Sequence, residues 1–529
     1  MNAQHFASAV SRWGSVVVLL SLLASSLPAL AQTGPPPGID DNPALQLRQQ
    51  LRQQLRQQHK PANQVAPAAP SPRTAVQSAS AEIQTLNDDR LEDRGAYRLA
   101  GNDPNLPLKD LEPLKDIVGD ADMVGVGHEW PSAGSSYIMQ HRVFRFLVEK
   151  MGFRVMGIES PYFWAQIIEQ YLQGGDCPGL DPAALKKATF VNYASTEFGN
   201  QVEWMCRWNL AHPNDKLHVF GFDAQYGVKP NMDGLLATMG KMGFSASDPM
   251  MSGMSACNEM VADPEWSIQP ISQASYDQCQ AAMSRMLDYL IQNEKAIRKQ
   301  VSRQDYFLAQ AYARTQQAFQ EELFYATRDL RRALGVREAG LADVAVLIRK
   351  ALYPNQRVML WMENESAAMN GLNWVLPRPG SISAGDTLKA SLGRNYVAVG
   401  MVSLHLNLNW GPYGMCGETN LRYGGPGPYV EDVLHVAGGG GSLLVDLKPH
   451  KHGGHDDANP VAGGSAVSTG AAVDSGSRER GGRSLLDPNT AYAWVEAEPV
   501  IMQDTFDALI YQDTVSAAHY TFDSGCPGM

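Results

Sequence analysis

The chain has no Cys-x-x-Cys pair, no run of basic residues and no Gly-x-Ser-x-Gly segment, and beyond residue 31 it has no long apolar stretch. Each absence removes a class. Without Cys-x-x-Cys spacing, a zinc site built on cysteines is excluded as a reading of the six cysteines. A net charge of -12 with no basic run argues against a nucleic-acid partner, because binding phosphates needs a cationic face. Without a Gly-x-Ser-x-Gly elbow, a serine acyl-enzyme of the α/β-hydrolase kind is not expected. A membrane-spanning helix needs about 20 predominantly apolar residues, so no stable insertion is expected once the N-terminus has been removed. Between Ser272 and Ala333 the chain also lacks proline and glycine altogether, which leaves nothing to break a long helical run.

The N-terminus carries Arg12, the apolar run Val16 to Leu23 and the small-residue exit Pro28-Ala29-Leu30-Ala31, the layout of a secretory signal peptide over residues 1–31. The product is therefore expected to be exported, periplasmic or secreted. Residues 32–84 are rich in Pro, Gln, Ala and Ser and include the repeat "LRQQLRQQLRQQ", which has too little apolar surface to bury itself and reads as a disordered linker. The remaining residues, 85–529, are long enough for one large α/β domain or two lobes. Six cysteines in an exported chain suit disulfides, although sequence alone allows fifteen pairings. Proximity along the chain favours Cys177 with Cys206 and Cys257 with Cys279, which leaves Cys416 with Cys526.

Short apolar or β-branched runs at Met123–Val126, Arg154–Ile158, Leu217–Phe220, Arg357–Trp361 and Tyr396–Val402 alternate with helical patterns. That is the signature of an α/β fold with a mostly parallel central sheet flanked by helices. Ser442–Leu447 and Ala508–Tyr511 are two further candidate strands. The segment at about 272–335 reads as a helical insertion lying over the carboxyl ends of the strands. The segment at about 438–483 reads as a flexible Gly/His-rich loop, in which His450, His452 and His455 suit a transition ion but lack a fixed frame to orient them.

"MVGVGHEWPSAGSSYIMQHRVFRFLVEKMGFRVMGIES" reads as strand, loop, amphipathic helix from about Ser135 to Met151, and strand. It delivers His128 and Glu129 after the first strand and Glu159 at the end of the second. Open parallel sheets bind ligands beyond the carboxyl ends of their strands, so these groups are candidates for chemistry. Glu363 and Glu365 alternate along what reads as an extended segment, which would place both on one face. His405 follows another apolar strand.

The order of the pieces resembles the erythromycin esterase family over about residues 100–525. "HRVFRFLVEKMGFRVMGIES" is similar to the family's helix and strand ending in its acidic residue, followed by "YFWAQIIEQYLQGG". "TEFGNQVEWMCRWNLAHPNDKLHVFGFDAQ" is similar to its Glu-containing Trp-Asn helix and Gly-Phe-Asp strand. "REAGLADVAVLIRKALYPNQRVMLWMENES" resembles its Arg-bearing helix and the strand ending Trp-Ala-His-Asn-x-His, and "FDALIYQDTVSAA" its closing strand. The resemblance implies opening of an ester or macrolide lactone by water, general-base catalysis by histidine with glutamates, and no required metal or cofactor. The chain departs from the family at the histidines. Laid on Gly127 to Ser132, the Gly-Glu-x-x-His-Gly motif has His128 for its Glu and Pro131 for its His, and in the late motif Glu363 and Ser366 replace both histidines. Only Glu159 matches directly.

The expected site is accordingly His128, Glu129, Glu159, Glu363 and Glu365 as acid/base groups, with Trp130, Arg337 and His405 toward a small-molecule ester or lactone. A base working near neutral pH wants an imidazole or a carboxylate raised by burial or by a neighbouring negative charge. Other roles stay open for each residue. His128 and Glu129 could be loop residues bound to backbone amides, Glu363 and Glu365 solvated bystanders, His405 a satisfied core histidine, and Asp223 and Arg337 groups that orient their neighbours. Two other classes compete with a metal-free hydrolase: a binding protein that kept the fold and lost the reaction, and a hydrolase using a hard divalent ion held by carboxylates and one imidazole.

Overall fold

A computed structural model describes residues 91–226, 228–258, 271–369, 382–409, 418–422, 429–448, 485–486, 492–494 and 498–520. The expected signal peptide, the linker, the His450–His455 cluster and the Cys416–Cys526 pair lie outside these residues.

The chain runs β1 (Ala96–Leu99), α1 (Leu114–Val118), β2 (Met123–His128), α2 (Gly134–Met151), β3 (Val155–Pro161), α3 (Tyr162–Gln173), α4 (Pro182–Ala188), α5 (Thr196–Ala211) and β4 (His218–Asp223). Four long helices follow: α6 (Val228–Lys241), α7 (Gln273–Gln292), α8 (Arg303–Tyr325) and α9 (Leu330–Leu352). After them come β5 (Val358–Glu363), α10 (Asn364–Ala367), α11 (Ala384–Leu392), β6 (Tyr396–Asn409), β7 (Glu418–Arg422), α12 (Val430–Gly438), β8 (Ser442–Asp446), the pair β9 (Tyr492–Trp494) and β10 (Glu498–Val500), and β11 (Ala508–Val515).

Strands order as β1-β8-β11-β6-β2-β5-β3-β4, with β7 added to β6. From β11 to β4 every neighbouring pair is parallel, and β1, β8 and β7 join antiparallel. The central strands are buried along their whole length, as a parallel sheet covered on both faces requires. One face packs Phe144, Phe146 and Leu147 of α2 and Phe198 of α5 onto Met156 and Trp361. The other packs Leu341, Ala345 and Ile348 of α9 and Val433 and Leu434 of α12 onto Leu360, Phe220 and Phe506. Gly152, at φ 73°, ends α2 in the left-handed conformation that glycine adopts without strain.

Helices α6, α7 and α8 share a third core of their own, and α8 packs along α9. Side-chain oxygens start three of the four long helices: Ser272 for α7, Ser302 for α8 and Asp329 for α9 accept from N3 amides. The insertion reaches the carboxyl end of β4, where Glu322 of α8 accepts a hydrogen bond from Gln225. Ser442–Asp446, inside the segment expected to be a Gly/His-rich loop from about 438, is strand β8, whose leucines are buried between β1 and β11. Among the described residues, no helix is long and apolar enough to cross a membrane.

Candidate functional site

Four spatially consecutive strands, β2, β5, β3 and β4, carry His128, Glu363, Glu159 and Asp223 at or within two residues of their carboxyl ends. Register pairs His128 directly with Glu363. An irregularity in the β3–β4 pairing between Ile158 and Pro161 falls on Glu159. All four side chains are buried.

Arg337, projecting from α9, organises the carboxylates. Its Nη2 donates to Glu159 Oε1 at 2.6 Å and to Asp223 Oδ2 at 2.7 Å, and its Nη1 lies 3.3 Å from Glu338 Oε1. Burial opposes the guanidinium charge, but Asp223, Glu159 and Glu338 hold its proton far above the ordinary range. Arg337, expected toward the substrate or as a group that orients its neighbours, is the hub of these ion pairs, with both terminal nitrogens engaged by the protein.

The carboxyls are not equivalent. Burial raises Glu159, against the pull of Arg337. Glu363 is driven well above the usual carboxylate range, by burial and then by Glu159 and Glu365, against a weaker pull from Arg337, which makes it the natural holder of a shared proton. Tyr193 OH lies 3.3 Å from Glu363 Oε1 and 3.5 Å from Glu159 Oε2 and can donate its single proton to only one at a time. The Glu363 amide donates to Glu159 Oε2 at 3.2 Å. Burial lifts Glu338 to about 7 and Glu322 to about 8.

His128 is sealed among the rings of Tyr137, Tyr193 and Trp361. Its Nδ1 lies 2.6 Å from the Met362 carbonyl, which can only accept, so Nδ1 carries the proton and Nε2 presents a lone pair with no partner. Burial lowers its pKa to about 3, so the ring is neutral at working pH. Beside it, Glu129 accepts from Ser136 Oγ at 2.6 Å through Oε2 and leaves Oε1 without a partner, and burial raises its pKa. Trp130 is buried in the next position of the loop. Ser132 takes φ 74°, and its amide is held by Tyr137 OH at 2.9 Å. Tyr520 OH lies 2.9 Å from Ser132 Oγ and donates to the Asn192 carbonyl at 2.6 Å, tying the chain after β11 across this loop.

One expectation changes. Glu363 and Glu365 do not alternate along a strand: Glu363 ends β5, and Glu365 sits in the first turn of α10, half-buried, where it acts on Glu363 through its charge. His405 lies where β6 runs past the end of β2, registered against Thr514 and Arg422, with Asp513 as its electrostatic neighbour. No hydrogen bond joins it to the Arg337 group among the described residues. Ser366 donates to Glu338 Oε1 at 3.1 Å. Tyr193, Tyr137, Glu338, Glu322 and Ser136 were not singled out from sequence. Tyr193 stands in a loop with no periodic pattern, and Glu338 was hidden beside Arg337 in an ordinary amphipathic helix. Among the described residues, no three or more His, Cys, Asp or Glu side chains are grouped as metal donors.

The model of the family described as erythromycin esterase matches residues 148–515, a span that starts inside α2 and leaves out the His128–Glu129 loop. Erythromycin esterase type II of Escherichia coli is 25% identical over 122 residues, which are 23% of this chain and 28% of that protein. The chain thus matches little more than a quarter of the length of that curated relative. Among solved structures, a protein from Bacillus cereus superposes with a TM-score of 0.61 at 17% identity, covering 84% of this chain and 99% of its own. A succinoglycan biosynthesis protein gives 0.57 at 17% identity, covering 85% and 100%. A mutant erythromycin esterase in its open conformation gives 0.57 at 15% identity, covering 80% and 98%.

Proposed function

The chain belongs to the erythromycin esterase family, and on that premise we propose that it is an exported hydrolase that cleaves an ester or lactone, a macrolide among the candidates, with activated water. The observation that carries this reading is the set of buried carboxyls with raised pKa at the ends of adjacent strands, beside an imidazole nitrogen with a free lone pair. A carboxylate raised toward neutrality is a better base than one left in water.

In this reading the reacting water sits between Glu129 Oε1 and His128 Nε2, the two unpartnered acceptors of the loop. Glu129 takes one proton as the water oxygen attacks the carbonyl carbon, and neutral His128 holds the other hydrogen to aim the lone pair. Glu159, anchored by Arg337, keeps its charge. Glu363 gives its proton to the leaving alkoxide as the carbon–oxygen bond breaks, and Tyr193 OH passes between the two carboxyls. In this reading Trp130, next in the loop, contacts the substrate. Export is supported by the two disulfides between described residues, which persist in oxidising compartments.

Hydrolysis of macrolide lactones and aryl esters by the purified protein tests the reading, with Glu159→Gln, Glu363→Gln and a chelator as controls. Turnover lost in both variants and untouched by chelator supports it. Turnover unchanged by either substitution removes these residues from the chemistry. Ligand binding without any turnover would establish the competing reading, a binding protein, which Pro131 and the Glu338-bound Ser366 favour at the family's histidine positions.

A further inference from the structure

Among the described residues two non-glycines, Ser132 and Tyr226, take a positive φ, of 74° and 53°. Glycine adopts that conformation freely, whereas the Cβ of a serine strains it. Such strain persists where the surroundings over-determine it, and at Ser132 every polar atom is engaged. Its amide donates to Tyr137 OH at 2.9 Å, its carbonyl accepts from the Ala518 amide at 2.8 Å, and its Oγ lies 2.9 Å from Tyr520 OH.

Chemistry fixes the direction of these bonds, because an amide only donates and a carbonyl only accepts. Tyr137 OH accepts from the Ser132 amide and gives its own proton to the Asn192 carbonyl at 3.3 Å. Tyr520 OH donates to the same carbonyl at 2.6 Å, so it must accept from the Ser132 hydroxyl. Two phenols thus join Ser132 to Asn192 in a closed ring of hydrogen bonds, and both lone pairs of the carbonyl are used. Ser132 and Tyr137 are fully enclosed, and burial holds the Tyr520 proton far above the ordinary phenol range, so it remains a donor.

The ring joins two loops that carry different parts of the chemistry. Ser132 follows Glu129 and Trp130, and Asn192 immediately precedes Tyr193, whose OH faces Glu363 and Glu159. Tyr520 is brought to them by the chain after β11, which is itself anchored. The Thr196 amide donates to the His519 carbonyl at 2.7 Å, Glu197 accepts from the His519 amide at 3.2 Å, and Asn409 Nδ2 donates to the Ala518 carbonyl at 3.2 Å.

We propose that Ser132, Tyr137, Asn192 and Tyr520 form a clamp that holds the Glu129 loop in register with the Tyr193 loop, with Tyr520 as a positioning residue. Its bearing on turnover rests on the hydrolase reading; the clamp itself does not. The strained backbone at Ser132 is kept for a hydroxyl that glycine lacks.

The test is a cycle of Tyr520→Phe, Ser132→Ala and the double variant, read by amide exchange at Ser132 and Tyr193 and by steady-state kinetics on the ester or lactone that the parent hydrolyses. Each single substitution opens the ring, so each should speed exchange at both amides and lower kcat by about fivefold, the worth of one hydrogen bond, with KM little changed. The double variant should go no further, because an opened ring cannot open again. Ser132→Gly relieves the strain and still removes the hydroxyl, so it should lose kcat as Ser132→Ala does. Single effects that multiply in the double variant, parental kcat in Ser132→Gly, or unchanged exchange at both amides in Tyr520→Phe would overturn the clamp. A parent protein that turns over no ester or lactone removes the hydrolase reading, and the exchange cycle then decides the clamp alone.

Discussion

Arg337 shares one buried guanidinium among Glu159, Asp223 and Glu338, and removing it strands their charge in low dielectric. Breaking such a group typically costs about 3–5 kcal/mol, so Arg337→Met should lose about that much in urea unfolding at pH 8 and less at pH 5, where Glu159 and Glu338, both raised by burial, can take up protons. Glu322 gives a cleaner test of sign. Its folded pKa is raised to about 8 by burial, above the unfolded value of about 4.3, so the folded state binds the extra proton. Its contribution is fully present below the unfolded value and is lost as pH rises through about 8. Glu322→Gln should therefore gain stability relative to the parent between pH 5 and pH 8, seen as a midpoint difference that grows with pH; a difference that shrinks would show the carboxyl is ionised and paired. His128 runs the other way. Its folded pKa of about 3 lies below the ordinary histidine value, so its contribution is present above about 6.5 and lost as pH falls toward 3. Removing the Tyr193 hydroxyl with Tyr193→Phe should cost about 1 kcal/mol of stability and lower turnover more than substrate affinity, because the lost group lies between two carboxyls and not on the substrate.

At the level of elements, the strands were legible because parallel strands buried on both faces are short apolar runs, and Met123–Val126 sits within Met123–His128. Helices α7 and α8 were legible for the opposite reason, an unbroken three-and-four pattern without proline or glycine. Misjudged segments turn on contacts made far along the chain. Glu363-Asn364-Glu365 looks extended in isolation, yet Asn364 turns inward, with Nδ2 donating to the Met401 carbonyl at 2.5 Å and Oδ1 accepting the Met401 amide at 3.0 Å, and the chain bends into α10. Sequence placed Glu159 and His128 at strand ends, but could not show that Arg337, 178 positions after Glu159, neutralises it. The fit of α10 against β2 is close: a Cβ on Gly127 would strike Asn364 Oδ1 and stand 2.9 Å from Asn364 Cα. Gly127→Ala should cost about 1–3 kcal/mol by overpacking and displace the His128–Glu129 loop, measured together as a lower melting temperature and faster amide exchange at residues 128–132.

At the scale of the molecule, the two disulfides among the described residues lie outside the central sheet. Cys177–Cys206 fastens the segment after α3 to α5, and Cys257–Cys279 fastens the segment after α6 to α7. They close spans of 29 and 22 residues, and loops of that size restrict the unfolded chain by about 3.5 kcal/mol each in the chain-entropy account. The two should differ in what their loss does. The α6–α8 insertion holds its own core and meets the sheet through α9 and the Gln225–Glu322 contact, so opening Cys257–Cys279 should loosen the insertion first. Cys177–Cys206 instead borders Leu172, Met205 and Val202 of the main core, so opening it should lower the global transition. Cys257→Ala/Cys279→Ala is expected to give increased proteolysis confined to residues near 241–302 with the main melting transition nearly kept. Cys177→Ala/Cys206→Ala is expected to lower that transition by several degrees. Non-reducing peptide mapping of the parent protein supplies the control: both pairs closed, and Cys416 joined to Cys526 if the even count of cysteines is fully used. A free thiol at any of the first four positions, or equal loss of the main transition in both double variants, would refute this division of labour between a rigid sheet and a separately fastened insertion.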